Sequence, residues 1–336
     1  MKKSLFLLAL TIAAVVHAQQ RQSSVGTVTT TAQTPVHDPV MIKEGNTFYL
    51  FCTGFGISVF SSTDLQNWKR EKPVFATAPE WAVAAVPGYR GHTWAPDISY
   101  HNGMYYLYYS VSAFGKNTSC IGVAVNKTLD PASPDFKWED KGKLLHSVPG
   151  RDNWNAIDPN LVLDEKKEAW LSFGSFWGGL KLVKLNNDLI SIAEPQQWRT
   201  IAARPRAASS DTAAGNGAIE APFIFQKNGY YYLFASWDYC CQGEKSNYKV
   251  VVGRSKTVSG PYTDKTGKPM ELNGGSLIIE GDGKKWFGAG HNAAYTFEGK
   301  DYIIYHGYDA EDKGRSKLRI DELLWDAEGW PYVKKN

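Results

Sequence analysis

Trp94-Ala95-Pro96-Asp97-Ile98-Ser99-Tyr100-His101-Asn102-Gly103-Met104-Tyr105-Tyr106-Leu107-Tyr108-Tyr109 reads as two β-strands around one tight turn. Asn-Gly between β-rich runs is a strong hairpin signal, because a two-residue turn of the favoured hand needs positive φ at both positions. The same layout recurs at 37–51, 157–173, 220–235 and 291–305: a polar or small residue, usually a proline, an apolar strand, a turn and an aromatic strand. The steps between the anchors Pro39, Pro96, Pro159, Pro222 and Asn292 are 57, 63, 63 and 70 residues. Each step leaves room for two more strands. The third strands fall at 57–61, 120–125, 181–185 and 250–255, and the fourth near 65–68, 136–138, 198 and 261–262; after the last anchor, 317–324 and 330–333 complete the set. Five repeats of four strands predict an all-β fold, a five-bladed β-propeller with four-stranded antiparallel blades, in which blade packs on blade and few edges stay open. Helical periodicity is weak, so very little helix is expected.

The 336 residues suit one such ring, and 43% hydrophobic with 13% aromatic residues excludes a disordered chain. With 37 Lys and Arg against 34 Asp and Glu, and no basic run, the charge gives no footprint for nucleic acid or anionic lipid. Residues 1–18 read as a signal peptide: Lys2 and Lys3, an apolar stretch over 5–16, and Val16-His17-Ala18 as the cleavage site. A single catalytic propeller over 19–336, secreted or periplasmic, monomeric and without membrane insertion, is the expected organisation. Cys52 reads as a buried apolar residue, while Cys240 and Cys241 are either a vicinal disulfide or two free thiols.

In a propeller the first strand of each blade lines the central channel, so residues at the starts of equivalent strands converge. Here those starts carry Asp38, Asp158 and Glu220, with His37 and His291. Three carboxylates in a concave, water-restricted site push their proton affinities apart, as separate acid and base roles require. Flat apolar faces on which sugar rings could pack are offered by Trp94 and Phe114, with Trp177 behind them.

His37-Asp38-Pro39, Ala156-Ile157-Asp158-Pro159-Asn160 and Ala218-Ile219-Glu220-Ala221-Pro222, in this order on five repeats, resemble glycoside hydrolase family 43, and its arabinanases most. Trp94-Ala95-Pro96-Asp97, the run Gly174-Ser175-Phe176-Trp177-Gly178-Gly179 and Gly290-His291-Asn292 are similar to the same subgroup. The resemblance covers essentially all of 19–336. It implies inverting hydrolysis of α-1,5-linked L-arabinan, with Asp38 as general base and Glu220 as general acid. Asp158 would be the third carboxylate, which modulates the acid's pKa by like-charge repulsion and orients it. It further implies Asn155 and Ser175 as polar contacts near the scissile sugar, His37 as a group that orients the base or bonds a hydroxyl, and one calcium or other cation in the channel near His291, with no organic cofactor. Two other readings stand beside it: a β-xylosidase or α-L-arabinofuranosidase acting on xylan, and a non-catalytic sugar-binding propeller.

Overall fold

The computed structural model describes residues 24–207 and 213–334; the leader read at 1–18 lies outside them. Five antiparallel sheets follow one another along the chain, and each sets one strand innermost in the ring. Blade 1 is built on Val40–Glu44, blade 2 on His92–His101, blade 3 on Asn160–Leu163, blade 4 on Ile219–Lys227 and blade 5 on Trp286–Phe297. Each of these inner strands touches the next, and the last touches the first, so the ring is closed.

Sandwiching between neighbouring blades explains why the strands read as apolar runs rather than alternating ones: every residue of Ser119–Asn126 is buried, with both faces covered. Alternation returns at outer strands such as Asn67–Arg70 and Glu139–Ser147, where one face meets water. The two Asn-Gly turns form as read, with φ of 51° and 81° at Asn102 and Gly103, and 51° and 73° at Asn228 and Gly229. Among the described residues the α-helical content is one short helix, Glu80–Ala85, on the connection into blade 2.

Strand membership departs from expectation in two blades. In blade 4 the fourth strand is Ser276–Glu280, not the segment at 261–262. Pro261 has no N–H for a ladder, and Thr263 makes only isolated bridges, to Arg254 and Pro269. In blade 5 the segment at 330–333 does not extend the sheet; Pro331–Tyr332 pairs with Leu324–Trp325 as a separate hairpin. The outer flank of Arg315–Glu322 is met instead by the N-terminal segment. Pro35 bridges Lys317, and the Leu318 N–H donates to the Thr34 carbonyl at 3.0 Å. Val28–Thr30, just before, lies on the outer strand of blade 1. The chain's start therefore staples the first blade to the last.

Candidate active site

At the head of every inner strand stands one residue in the left-handed region: Asp38 (φ 55°), Ala95 (40°), Asp158 (58°), Ala221 (56°) and His291 (52°). None is glycine, and five such residues at equivalent places mark a bulge held by its surroundings. What holds it is common to all five. The backbone N–H of each left-handed residue donates to a side chain of the preceding blade: Asp38 to His306 Nδ1 (3.2 Å), Ala95 to Thr53 Oγ1 (2.8 Å), Asp158 to Ser110 Oγ (2.9 Å), Ala221 to Asp158 Oδ2 (3.1 Å) and His291 to Ser236 Oγ (2.8 Å). A buried N–H turned out of its ladder needs such an acceptor. The bulges bring Asp38, Asp158, Glu220 and His291 together from blades 1, 3, 4 and 5.

Asp38 is buried and holds four neighbours. His37 Nδ1 lies 2.7 Å and His291 Nδ1 2.9 Å from its Oδ1, while Thr53 Oγ1 donates to Oδ2 at 2.5 Å. His306 Nδ1 is 3.8 Å from Oδ1, but it accepts the Asp38 N–H and so carries no proton on that side. Burial alone would raise the Asp38 carboxyl; His291 and then His37 outweigh it and hold it well below the usual carboxylate range. Against its own burial, His291 is pushed up to about 9 by Asp38 foremost. Burial, then the charge on His37, drives His306 well down, so its imidazole is neutral.

Asp158 behaves oppositely. Burial, then the charges of Glu220 and Asp38, raise its carboxyl well above the ordinary value despite the opposing pull of His291. Two carboxyl groups of one site thus sit on opposite sides of their shared reference value. Asp158 also accepts the N–H of Ala221, the residue after Glu220, which fixes the backbone that carries the acid.

Glu220 is half-buried, and its Oε2 accepts a 2.7 Å hydrogen bond from Ser175 Oγ. The Ser175 hydroxyl proton is thereby directed at the acid, and its oxygen keeps acceptor capacity. Trp177 is placed differently from expectation. It is 4% exposed, folded under its turn, and cannot offer a stacking face. Its neighbour Phe176 is half-buried and pairs with Tyr239 at 6.0 Å between ring centroids. Trp94 is half-buried with its Nε1 on His92 Nδ1 at 2.9 Å. Phe114 follows the second strand of blade 2, on the same end of the ring as the carboxylates, and is 82% exposed. Asn155 is buried with its Oδ1 unpartnered.

His291 by itself would supply at most one ligand to a calcium ion. Calcium takes six to eight oxygens, whereas His291 brings one imidazole whose Nδ1 is already paired to Asp38. Among the described residues, the groups of three potential ligands within 4.8 Å of one another are His37, Asp38 and His306, and His37, Cys240 and Cys241; neither includes His291.

Thr53, Ser110, Ser236, His306 and Tyr308 were not singled out from sequence. All five lie in or just after the second strand of a blade, and a polar residue closing a largely apolar second strand is the signal that could have found them. Cys240 and Cys241 are joined in a disulfide, and Cys52 is free and buried.

The model of "Glycosyl hydrolases family 43" matches residues 30–331. The chain belongs to this family. Within family 43 it is 59% identical over 302 residues to the extracellular exo-α-(1->5)-L-arabinofuranosidase ArbA of Cellvibrio japonicus, covering 90% of this chain and 87% of that protein. It is 43% identical over 300 residues to the extracellular endo-α-(1->5)-L-arabinanase 1 of Bacillus subtilis, with 88% and 87% covered. The structure of Cellvibrio cellulosa α-L-arabinanase complexed with arabinohexaose superposes with a TM-score of 0.88 at 58% identity, over 90% of this chain and 96% of that one. This family 43 member is a glycosidase with a five-bladed propeller fold.

Proposed function

We propose that the chain hydrolyses α-1,5-L-arabinofuranosidic bonds of arabinan with inversion at the anomeric carbon. The observation that carries the mechanism is the opposite displacement of two carboxyl groups: Asp38 pinned as an anion by two imidazoles and Thr53, and Asp158 pushed toward its protonated form beside Glu220. The substrate rests on the relatives named above.

Asp38 takes a proton from a water as that water attacks the anomeric carbon, and Glu220 gives a proton to the leaving oxygen. An inverting pair needs room for the water between base and acid, on the order of 6.5–9.5 Å between carboxyl groups; origin in blades 1 and 4 suits that demand. Asp158 supports the acid by its bond to the Ala221 N–H, which fixes the backbone that carries Glu220. His37 and His291 keep Asp38 ionised and aimed. Trp94, Phe114 and Asn155 are the proposed sugar contacts. No organic cofactor enters these steps, and a calcium ion near His291 is carried by the resemblance alone, so no step is routed through it.

The extracellular relatives and the leader read at 1–18 support a secreted or periplasmic monomer acting on polysaccharide outside the cytoplasm. No helix among the described residues is long and apolar enough to cross a membrane.

The test is a time course on linear debranched arabinan with NMR detection of the first-formed anomer. The inverted anomer supports the reading. A ladder of oligosaccharides assigns endo action and a single short product exo action. Activity on xylan or an aryl arabinofuranoside with silence on arabinan replaces arabinan by the xylan-side-chain reading, and silence on all three leaves a binding module.

A further inference from the structure

The second cysteine of the vicinal disulfide reaches the base through two side chains. The main-chain N–H of Cys241 donates to Tyr308 Oη at 2.7 Å. A main-chain N–H can only donate, so the phenol oxygen accepts there and keeps its own proton to offer to His37 Nε2, 2.8 Å away. With Nε2 accepting, the proton of a neutral His37 sits on Nδ1, which is the nitrogen 2.7 Å from Asp38 Oδ1. The ring is further held by stacking on His306, with centroids 3.9 Å apart and planes 26° from parallel.

We propose that the Cys240–Cys241 turn and Tyr308 are a positioning device for the general base, selecting the His37 tautomer that donates to Asp38. The disulfide matters because it closes the turn covalently: Cys241 sits at φ 67°, a conformation a side-chain-bearing residue adopts only when its surroundings impose it. Cys241 is exposed, and its Sγ stands 3.7 Å from His37 Nε2, so the bridge lies at the solvent edge of the site. A dithiol can therefore open it. The reagent supplies two electrons and two protons, the S–S bond breaks to give two thiols, and the reagent closes to its own cyclic disulfide. The freed turn no longer fixes the Cys241 N–H, Tyr308 is released to donate elsewhere, and His37 is free to carry its proton on Nε2, away from Asp38. Cys52 and Cys120, the free cysteines among the described residues, are buried and form no disulfide that the reagent could open.

This inference rests on the assignment of Asp38 as base. The test combines dithiothreitol treatment of the wild type, Tyr308→Phe, and the double variant Cys240→Ser with Cys241→Ser, each assayed on a linear arabino-oligosaccharide. Mass spectrometry of alkylated protein reports whether the bridge has opened. The expected result is a fall in kcat of about tenfold to a hundredfold for each, with KM within about twofold, full recovery of the wild type on reoxidation, and no further loss when Tyr308→Phe is reduced. Unchanged kcat in wild type whose bridge is shown to be open overturns the proposal, as do losses from reduction and Tyr308→Phe that multiply, or losses that fall on KM and melting temperature alone. Asp38→Asn separates the two readings. If that variant keeps its activity, the assignment of the base fails; if it is inactive while reduction and Tyr308→Phe are silent, only the positioning device fails.

Discussion

Ser175 Oγ donates to Glu220 Oε2 across 2.7 Å, and the two residues also form an antiparallel bridge between blades 3 and 4. The acid's carboxyl is thereby aimed by a residue outside its own blade. Ser175→Ala is expected to lower kcat about tenfold, the scale of one lost hydrogen bond to a charged group, with KM on arabino-oligosaccharides nearly unchanged. An equal rise in KM would instead make the serine a substrate contact.

Glu220→Gln should reduce cleavage of arabinan by about two to four orders of magnitude, the usual worth of a general acid. The loss should shrink on an aryl arabinofuranoside whose leaving phenoxide needs no proton. Sugar binding, followed by calorimetry, should persist. A loss that is the same for good and poor leaving groups would remove Glu220 from the acid role.

The His291–Asp38 pair sets a window in pH. His291 is raised in the folded protein to about 9, so its contribution to stability is complete below its unfolded value near 6.5 and is lost as pH climbs through about 9. Asp38 is depressed, so its contribution is present above its unfolded value and is lost only as pH falls through the depressed one. Thermal melts should show the wild type losing stability between about pH 6.5 and 9. His291→Gln should flatten that slope. In the rate profile the same variant should move the acidic limb to higher pH, because Asp38 has lost its strongest cation.

Asp97 ties blade 2 to blade 3, its Oδ2 accepting the Leu161 N–H at 2.8 Å from a buried position. Burial raises its carboxyl to about 7. Asp97→Ala leaves that N–H without a partner and should cost about 1–3 kcal/mol in denaturant unfolding, with kcat of the folded fraction preserved.

Phe114 is exposed to 82% and carries no packing duty in the ring. Phe114→Ala should leave the melting temperature unchanged. KM should rise several-fold on long arabino-oligosaccharides and less on the shortest, if the ring is a sugar platform.

The ring and its five inner strands were legible in the sequence because strand, turn and proline recur in register, and burial on both faces makes each strand an apolar run. The three carboxylates were legible for the same reason, since Asp38 and Asp158 interrupt that register at equivalent places and Glu220 stands one residue before the corresponding position. Thr53, Ser110, Ser236 and His306 were not. Each lies near the end of a second strand and acts on the next blade, so its partner is dozens of residues away and nothing local distinguishes it from ordinary strand polarity. Trp177 turned out to be buried, because residue type alone does not reveal whether a ring turns inward. Segment 330–333 was misassigned because its β-propensity is real, but its partner strand is the neighbouring Leu324–Trp325.

The five capped bulges make each blade the template for the head of the next, and Thr34 and Pro35 complete the circuit from the last blade back to the first. Base and acid are then not two local fixtures but two stations on one closed loop of tolerances. A displacement anywhere in the ring is handed on from cap to cap until it reaches the gap where the water must fit.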